Sequence, residues 1–191
     1  MTNDVQPNVI GIAYHYISAL NWYNIRTAEA NGDKFLHGHR DLVANSDNLD
    51  IPDWARQKFI FAFLNEPAPH SWTNNAYYPY VWEKLMKHIS PKGKGVKLLR
   101  FNLTEQDDSF MLDRSYMEEI ANLGTRVRIP KLLTVTITSY MDDEKIRIAR
   151  LRYVQSRVPV SEYEGQHSLP ELVIGNPISL ERIVEVEGTI L

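Results

Sequence analysis

The chain has 191 residues, 43% hydrophobic and 24% charged, with a formal net charge of −3. This balance excludes a disordered or collagen-like polymer, and the length predicts one domain over residues 1–191 with a core that needs no staples. There is no cysteine, which removes disulfides, thiolate metal sites and cysteine nucleophiles and makes a reducing cytoplasm the simplest setting.

In chain order, Met1–Asn8 carries an acid and no basic cluster, and the apolar stretch Val9–Ala13 is short for a signal sequence. Val9–Tyr16 (VIGIAYHY) reads as a buried strand, with Ser18 as the N-cap of a helix over Ala19–Ala30 that Asn31-Gly32 closes. Asp33–Asp53 reads as a long polar loop with one short strand at Phe35-Leu36, and Lys58–Leu64 (KFIFAFL) as a strong strand. Asn65–Tyr80 is turn-rich and aromatic. An amphipathic helix follows over Tyr80–Ile89. Gly93–Leu103 reads as a strand, Thr104–Asp108 as a turn, Phe110–Leu112 as a short strand and Ser115–Leu123 as a helix closed by Gly124.

Ile129–Tyr140 contains the strand-like LLTVTIT, and a helix over Met141–Gln155 follows, with Ser139 and Asp142 at capping-box spacing. Leu172–Ile174 reads as a short strand, Pro177–Leu180 as a turn and Arg182–Val186 as a last strand. Strands and helices alternate without a βαβ rhythm, which predicts an α+β class rather than a doubly wound parallel sheet. No run approaches the ~20 apolar residues of a membrane span.

Charge is uneven. Residues 124–157 hold eight basic and three acidic side chains, a local +5 that the remaining −8 balances. On the helix within this stretch, Arg147, Arg150 and Arg152 either attract an anionic partner such as nucleic acid or form a solvated, ion-paired face.

Phosphate-cradling glycine loops and the G-x-S-x-G elbow are absent from the sequence. His37-Gly38-His39 has metal-like spacing but no evident third ligand, so no metal site is assigned; a surface or substrate-contacting pair is the better reading. Two other segments carry chemistry. Ala13–Ser18 ends a strand in His15 between Tyr14 and Tyr16, and Leu169–Ile174 opens an apolar strand on Glu171. A carboxylate there is costly to bury without partners, so Glu171 is either an ordinary edge-strand acid or an acid poised at the rim of a cleft. His15 is likewise either a hydrogen-bonded core imidazole or a ligand contact.

Together, Tyr14-His15-Tyr16-Ile17-Ser18 near one end and Glu171-Leu172-Val173-Ile174 with Pro177-Ile178 and Ile183 near the other resemble the ADP-ribosyltransferase superfamily, in particular its DarT-type toxins that modify DNA. The hydroxyl beside the histidine stands one place later than in that family, and the middle of the chain matches no family motif. The resemblance covers roughly residues 9–40 and 160–188. It implies split, strongly bent mixed or antiparallel sheets with peripheral helices, and NAD as a substrate whose nicotinamide–ribose bond is cleaved.

It further implies that Glu171 stabilises the ribose cation and that His15 holds an NAD hydroxyl. Tyr14, Tyr16, Phe61 and Phe63 are candidates to stack on nicotinamide, and Arg40 to pair with the pyrophosphate. The acceptor would be nucleic acid or protein, with Arg147, Arg150 and Arg152 as the contact. The competing reading is a non-enzymatic interaction module, such as an immunity protein, antitoxin or regulatory domain, anchored by Trp72, Tyr77, Tyr78, Tyr80 and Trp82.

Overall fold

β1 (Val9–Ser18) runs through the middle of the sheet. A computed structural model describes residues 8–29, 31–42, 51–76, 81–90, 95–123 and 143–187. β1 runs two residues past the predicted strand end and passes directly into α1 (Ala19–Glu29), which starts where the sequence pattern predicts; Ser18 caps the helix because its hydroxyl accepts the Asn21 N–H at 3.2 Å. The polar stretch after α1 contains two short strands, β2 (Phe35–Leu36) and β3 (Arg40–Asp41), of which only the first was legible.

β4 (Lys58–Leu64) occupies the predicted span. The turn-rich segment after it holds the single-turn helix α2 (His70–Thr73), and α3 (Val81–Ile89) is the amphipathic helix. β5 (Val96–Thr104), β6 (Ser109–Asp113), α4 (Ser115–Leu123) and α5 (Asp143–Gln155) follow. The chain continues through β7 (Val158–Pro159), β8 (Pro170–Ile174), β9 (Ile178–Ser179) and β10 (Val184–Glu185). The predicted strand over Ile129–Tyr140, the cap formed by Ser139 and Asp142, and Tyr77, Tyr78 and Tyr80 lie outside the described residues.

The class is α+β, and every strand pair among the described residues is antiparallel. The main sheet has the order β10-β5-β1-β4-β8-β6-β7, with β3 added to β4; β2 and β9 form a separate pair. Residue alternation sorts the side chains onto two faces. Ala13, Ile17, Ile60, Ala62, Leu99, Phe101, Leu103, Leu172 and Ile174 share one buried cluster. On the other face, Phe59, Phe110, Leu112 and Val173 pack against Tyr153 and Val154 of α5, and Tyr16, Phe63 and Leu98 against Trp72 and α3. Among the described residues no helix is long and apolar enough to cross a membrane.

The ladder between β1 and β4 positions the site. β1 pairs with β5 from Val9 to Ser18, with a register shift between Val9 and Gly11, but with β4 only at Ala13–Leu64 and Tyr14–Phe63. Beyond Tyr14 the rung is replaced: His15 Nδ1 lies 2.7 Å from the Phe61 carbonyl oxygen. Farther along β4, Phe59 pairs with Arg40 of β3, and its carbonyl accepts the His39 N–H at 3.3 Å. Phe59, Phe61 and Phe63 are alternate residues, so their carbonyls point to one edge of β4. The sheet opens along that edge, between the end of the β1 ladder and the start of the β3 ladder.

Candidate functional site

The opening holds a cavity of about 270 Å³ walled by His15–Ser18 of β1, Asn21 of α1, His39 and Arg40 at β3, Phe61–Phe63 of β4, Leu85, His88 and Ile89 of α3, and Glu171 of β8. This size lies near the lower end for small-molecule pockets. A second hollow of about 310 Å³ adjoins it, sharing Ile17, Asn21 and His39 as walls and adding Phe35 and His37.

The two segments singled out at opposite ends of the sequence therefore meet at one cavity. By strand alternation His15 leaves β1 on the side of Ala13 and Ile17, and Glu171 leaves β8 on the side of Val173. Both reach the cavity because the sheet is parted between them. Tyr16, Arg40, Phe61 and Phe63 also line it. Tyr14 does not: it packs with Phe63, Trp72 and Leu98 in the core, so its assignment as a nicotinamide contact is corrected.

His15 is 2% exposed. A carbonyl oxygen can only accept, so the contact to Phe61 fixes the neutral tautomer with the proton on Nδ1. Burial pushes the His15 pKa down to about 4; the Phe61 hydrogen bond works against that shift, and nearby His39 adds to it. Nε2 is thus a lone-pair acceptor, and it is buried with no hydrogen-bond partner. An unsatisfied acceptor in a cavity wall takes a donor from an ordered water or a ligand. The His39 ring lies edge-on to His15 at 5.9 Å; burial lowers its pKa, and the Arg40 and Lys58 charges add to that effect.

Glu171 sits inside β8, lines the cavity and is 3% exposed, so it is not the partly exposed edge-strand acid of the first alternative, and it lies deeper than the loop edge of the second. Its burial is tolerated because two donors meet it. Tyr153 Oη donates to Oε2 at 2.6 Å, and Arg114 Nη1 donates to Oε1 at 3.1 Å. Arg114 also donates through Nε to Glu118 Oε1 at 3.2 Å. Burial opposes the Arg114 charge, but Glu171, Tyr153 and Glu118 outweigh it and raise its pKa. Burial, reinforced by the Glu171 charge, holds the Tyr153 phenol well above its ordinary pKa, so it remains a donor.

The segment entering β8 is anchored by Asp113, whose carboxylate accepts backbone N–H groups of Ser168 and Leu169, each at 3.1 Å, and of Ser115 at 3.0 Å. Burial works against ionised Asp113, but these donors and the Ser115 side chain hold its pKa below the ordinary carboxylate range.

Arg40 is delivered to the cavity by Gly38. A Cβ on Gly38 would strike the Lys58 carbonyl oxygen and lie 2.6 Å from the Lys58 carbonyl carbon and 2.8 Å from the Phe59 nitrogen. Only glycine allows this close backbone approach. The Arg40 guanidinium then rests 4.7 Å from the Phe61 ring centroid. His37 instead engages Asp33 Oδ1 at 3.0 Å. Among the described residues no group of three or more His, Cys, Asp or Glu side chains could hold a metal ion.

Arg114, Glu118 and Tyr153 escaped the sequence reading. The Arg114–Glu118 spacing is a four-residue pair like many on helix surfaces, and nothing local links Arg114 or Tyr153 to Glu171, 57 and 18 residues away. The available signal was indirect: a glutamate in an apolar strand demands donors from elsewhere. Trp72 is 2% exposed and donates to the Pro170 carbonyl at 2.8 Å, and Trp82 packs in the same core cluster. Trp72 is a core residue, which corrects its assignment as a binding anchor, and Trp82 is half-buried against the same cluster. Comparison with known proteins returned no match to a family model, a curated protein or a solved structure.

Proposed function

We propose that the parted sheet edge is a nucleotide-binding cleft. More specifically, we propose that it binds NAD and cleaves the nicotinamide–ribose bond, passing ADP-ribose to an acceptor. The observation that carries this reading is the meeting of His15 and Glu171 at one cavity, with the buried Nε2 of His15 unpartnered. The cavity offers acceptors to sugar hydroxyls, a cation to phosphate at Arg40, and the flat apolar walls of Tyr16, Phe61 and Phe63 to an aromatic ring. The resemblance of the two terminal segments to ADP-ribosyltransferases points the same way.

In this reading His15 Nε2 accepts a hydroxyl hydrogen of NAD and fixes the sugar. As the glycosidic C–N bond breaks, its electron pair leaves with nicotinamide and positive charge builds on the ribose. The Glu171 carboxylate, already oriented by protein donors, stabilises that charge as it develops; single preorganised contacts of this type contribute about 3–4 kcal/mol. The acceptor nucleophile then bonds to the anomeric carbon.

The test is nicotinamide release from NAD by wild-type chain and by Glu171→Gln. Release by the wild type that the variant loses supports the mechanism; equal rates overturn it. Wild-type melting unmoved by millimolar NAD or nicotinamide, with no release, favours an interaction module instead.

For the acceptor the reading takes nucleic acid, drawn by Arg150 and Arg152 of α5. Arg147 is committed to Glu144, with Nε and Nη2 each donating at 2.7 Å. Transfer to nucleic acid that falls steeply with salt supports this, whereas salt-insensitive transfer to protein overturns it.

A further inference from the structure

We propose that Arg114 and Tyr153 are positioning residues that aim the Glu171 carboxylate into the cleft, and that Glu118 sets the strength of that carboxylate by sharing Arg114 with it. The proposal rests on the reading of the cleft as an NAD-cleaving site.

Three separate elements converge on Glu171: Arg114 precedes α4, Tyr153 is on α5, and Glu171 itself is in β8. Tyr153 is 1% exposed and Glu171 3%, so their 2.6 Å contact is screened from solvent; its length is that of a charge-assisted hydrogen bond. Each carboxylate oxygen takes one protein donor, Oε1 from Arg114 and Oε2 from Tyr153. A carboxylate oxygen has a second acceptor direction, so both stay competent to meet a ligand. The two donors remove the torsional freedom by which an unsupported carboxylate would swing away. Neither Arg114 nor Tyr153 is among the cavity walls, so both act through Glu171.

The charge count gives Glu118 its part. Arg114 alone would neutralise Glu171 and cancel the field needed by a developing cation. Its Nε is instead held by Glu118, 8% exposed, at 3.2 Å. One guanidinium between two carboxylates leaves one negative charge in excess within this group of three, so Glu171 is left to face the Arg40 cation and a ligand across the cavity. The structure thus holds Glu171 rigidly without cancelling its charge.

Two variants test this by nicotinamide-release kinetics, with melting temperature measured alongside. Tyr153→Phe keeps the ring in its core position and deletes one donor. The expected result is a kcat lower by about ten- to a hundredfold with KM for NAD within about twofold. Glu118→Gln keeps an acceptor for Arg114 and deletes one charge. The expected result is a kcat lower by about three- to tenfold, again with KM held, in a protein that melts no more than a few degrees below wild type.

Wild-type kcat in Tyr153→Phe overturns the positioning, and wild-type kcat in Glu118→Gln overturns the charge sharing. A kcat loss matched by a proportional loss of folded protein in either variant assigns that residue to stability alone and also overturns its role. If the wild type neither binds nor cleaves NAD, the reading beneath the proposal fails and the proposal falls with it, an outcome recognisable because it is seen before any substitution is made.

Discussion

On the β8 side of the cleft both oxygens of Glu171 meet donors from within the protein, whereas on the β1 side His15 presents a buried Nε2 that meets none. Both groups are at most 3% exposed, and both would be costly to bury unsatisfied. The fold meets that cost for the charged group, where it is larger, with an arginine and a tyrosine. For the neutral imidazole it satisfies Nδ1 through Phe61 and leaves Nε2 open. One wall is satisfied from within the protein; the other keeps one acceptor atom without a partner. In the NAD reading this divides labour between a fixed electrostatic element and a binding contact.

The sharpest way to break the comparison is on the preorganised side. Glu171→Gln retains size but removes the charge and leaves one acceptor oxygen where Arg114 and Tyr153 each had one. It should lower kcat for nicotinamide release by about 10²–10³-fold, the magnitude of a lost preorganised contact, while NAD affinity by calorimetry changes little. A variant that kept its rate and lost affinity would make Glu171 a binding group and erase the distinction between the walls.

The open side is tested by pH. His15 is held neutral with its pKa pushed down to about 4 from an ordinary 6.5. The unfolded chain takes up a proton below about pH 6.5 that the native protein refuses until about pH 4. Stability contributed by neutral His15 is therefore complete above pH 6.5 and is lost as pH falls toward 4, by up to about 3 kcal/mol. His15→Gln, whose amide can still donate to Phe61, should be flatter over that window in urea unfolding. Parallel pH profiles for the two proteins would mean that His15 gains solvent in the native state. Binding adds a second handle: a ligand hydroxyl on Nε2 should make wild-type affinity for NAD exceed that of His15→Gln by about tenfold or less.

The anchoring of β8 comes next in size. Asp113 accepts two backbone N–H groups, of Ser168 and Leu169, at the turn into Glu171, and a third from Ser115 at the start of α4. Asp113→Ala would leave buried Leu169 N–H without its acceptor, and a loss of about 1–3 kcal/mol in urea unfolding is expected. Asp113→Asn, which keeps an acceptor oxygen, should recover part of it. Equal losses for the two variants would mean that charge rather than hydrogen bonding holds this turn.

These effects also show what could be read without coordinates. Strands such as Lys58–Leu64 and helices such as Ser115–Leu123 were legible because their apolar periodicity is local. The pair His15 and Glu171 was legible because each sits in a patterned segment. The sequence leaves Glu171 open between an edge-strand acid and an acid in a cleft, because local pattern does not reveal partners and Arg114 and Tyr153 are distant in sequence. Tyr14 and Tyr16 share one face of β1 and look alike in sequence; the parting of the sheet after Tyr14 puts Tyr16 on the cavity and leaves Tyr14 half-buried against the Phe63–Trp72 cluster.

The glycine between two histidines gives the most specific effect. In sequence, His37-Gly38-His39 reads as a spacer between two like side chains. In the fold those side chains do different things: His37 binds Asp33, and His39 faces His15 across the cleft. The glycine is there for the backbone, which passes so close to Lys58 that a methyl group has no room. Gly38→Ala must push β3 away from β4, and overpacking of this kind costs about 1–3 kcal/mol. The Arg40–Phe59 rung and the Arg40 contact over Phe61 would loosen with it. Affinity for NAD should fall while kcat at saturation is kept, because Glu171 and its two donors lie on elements the shift does not touch. A kcat loss as large as the affinity loss would show that the two walls of the cleft are mechanically coupled.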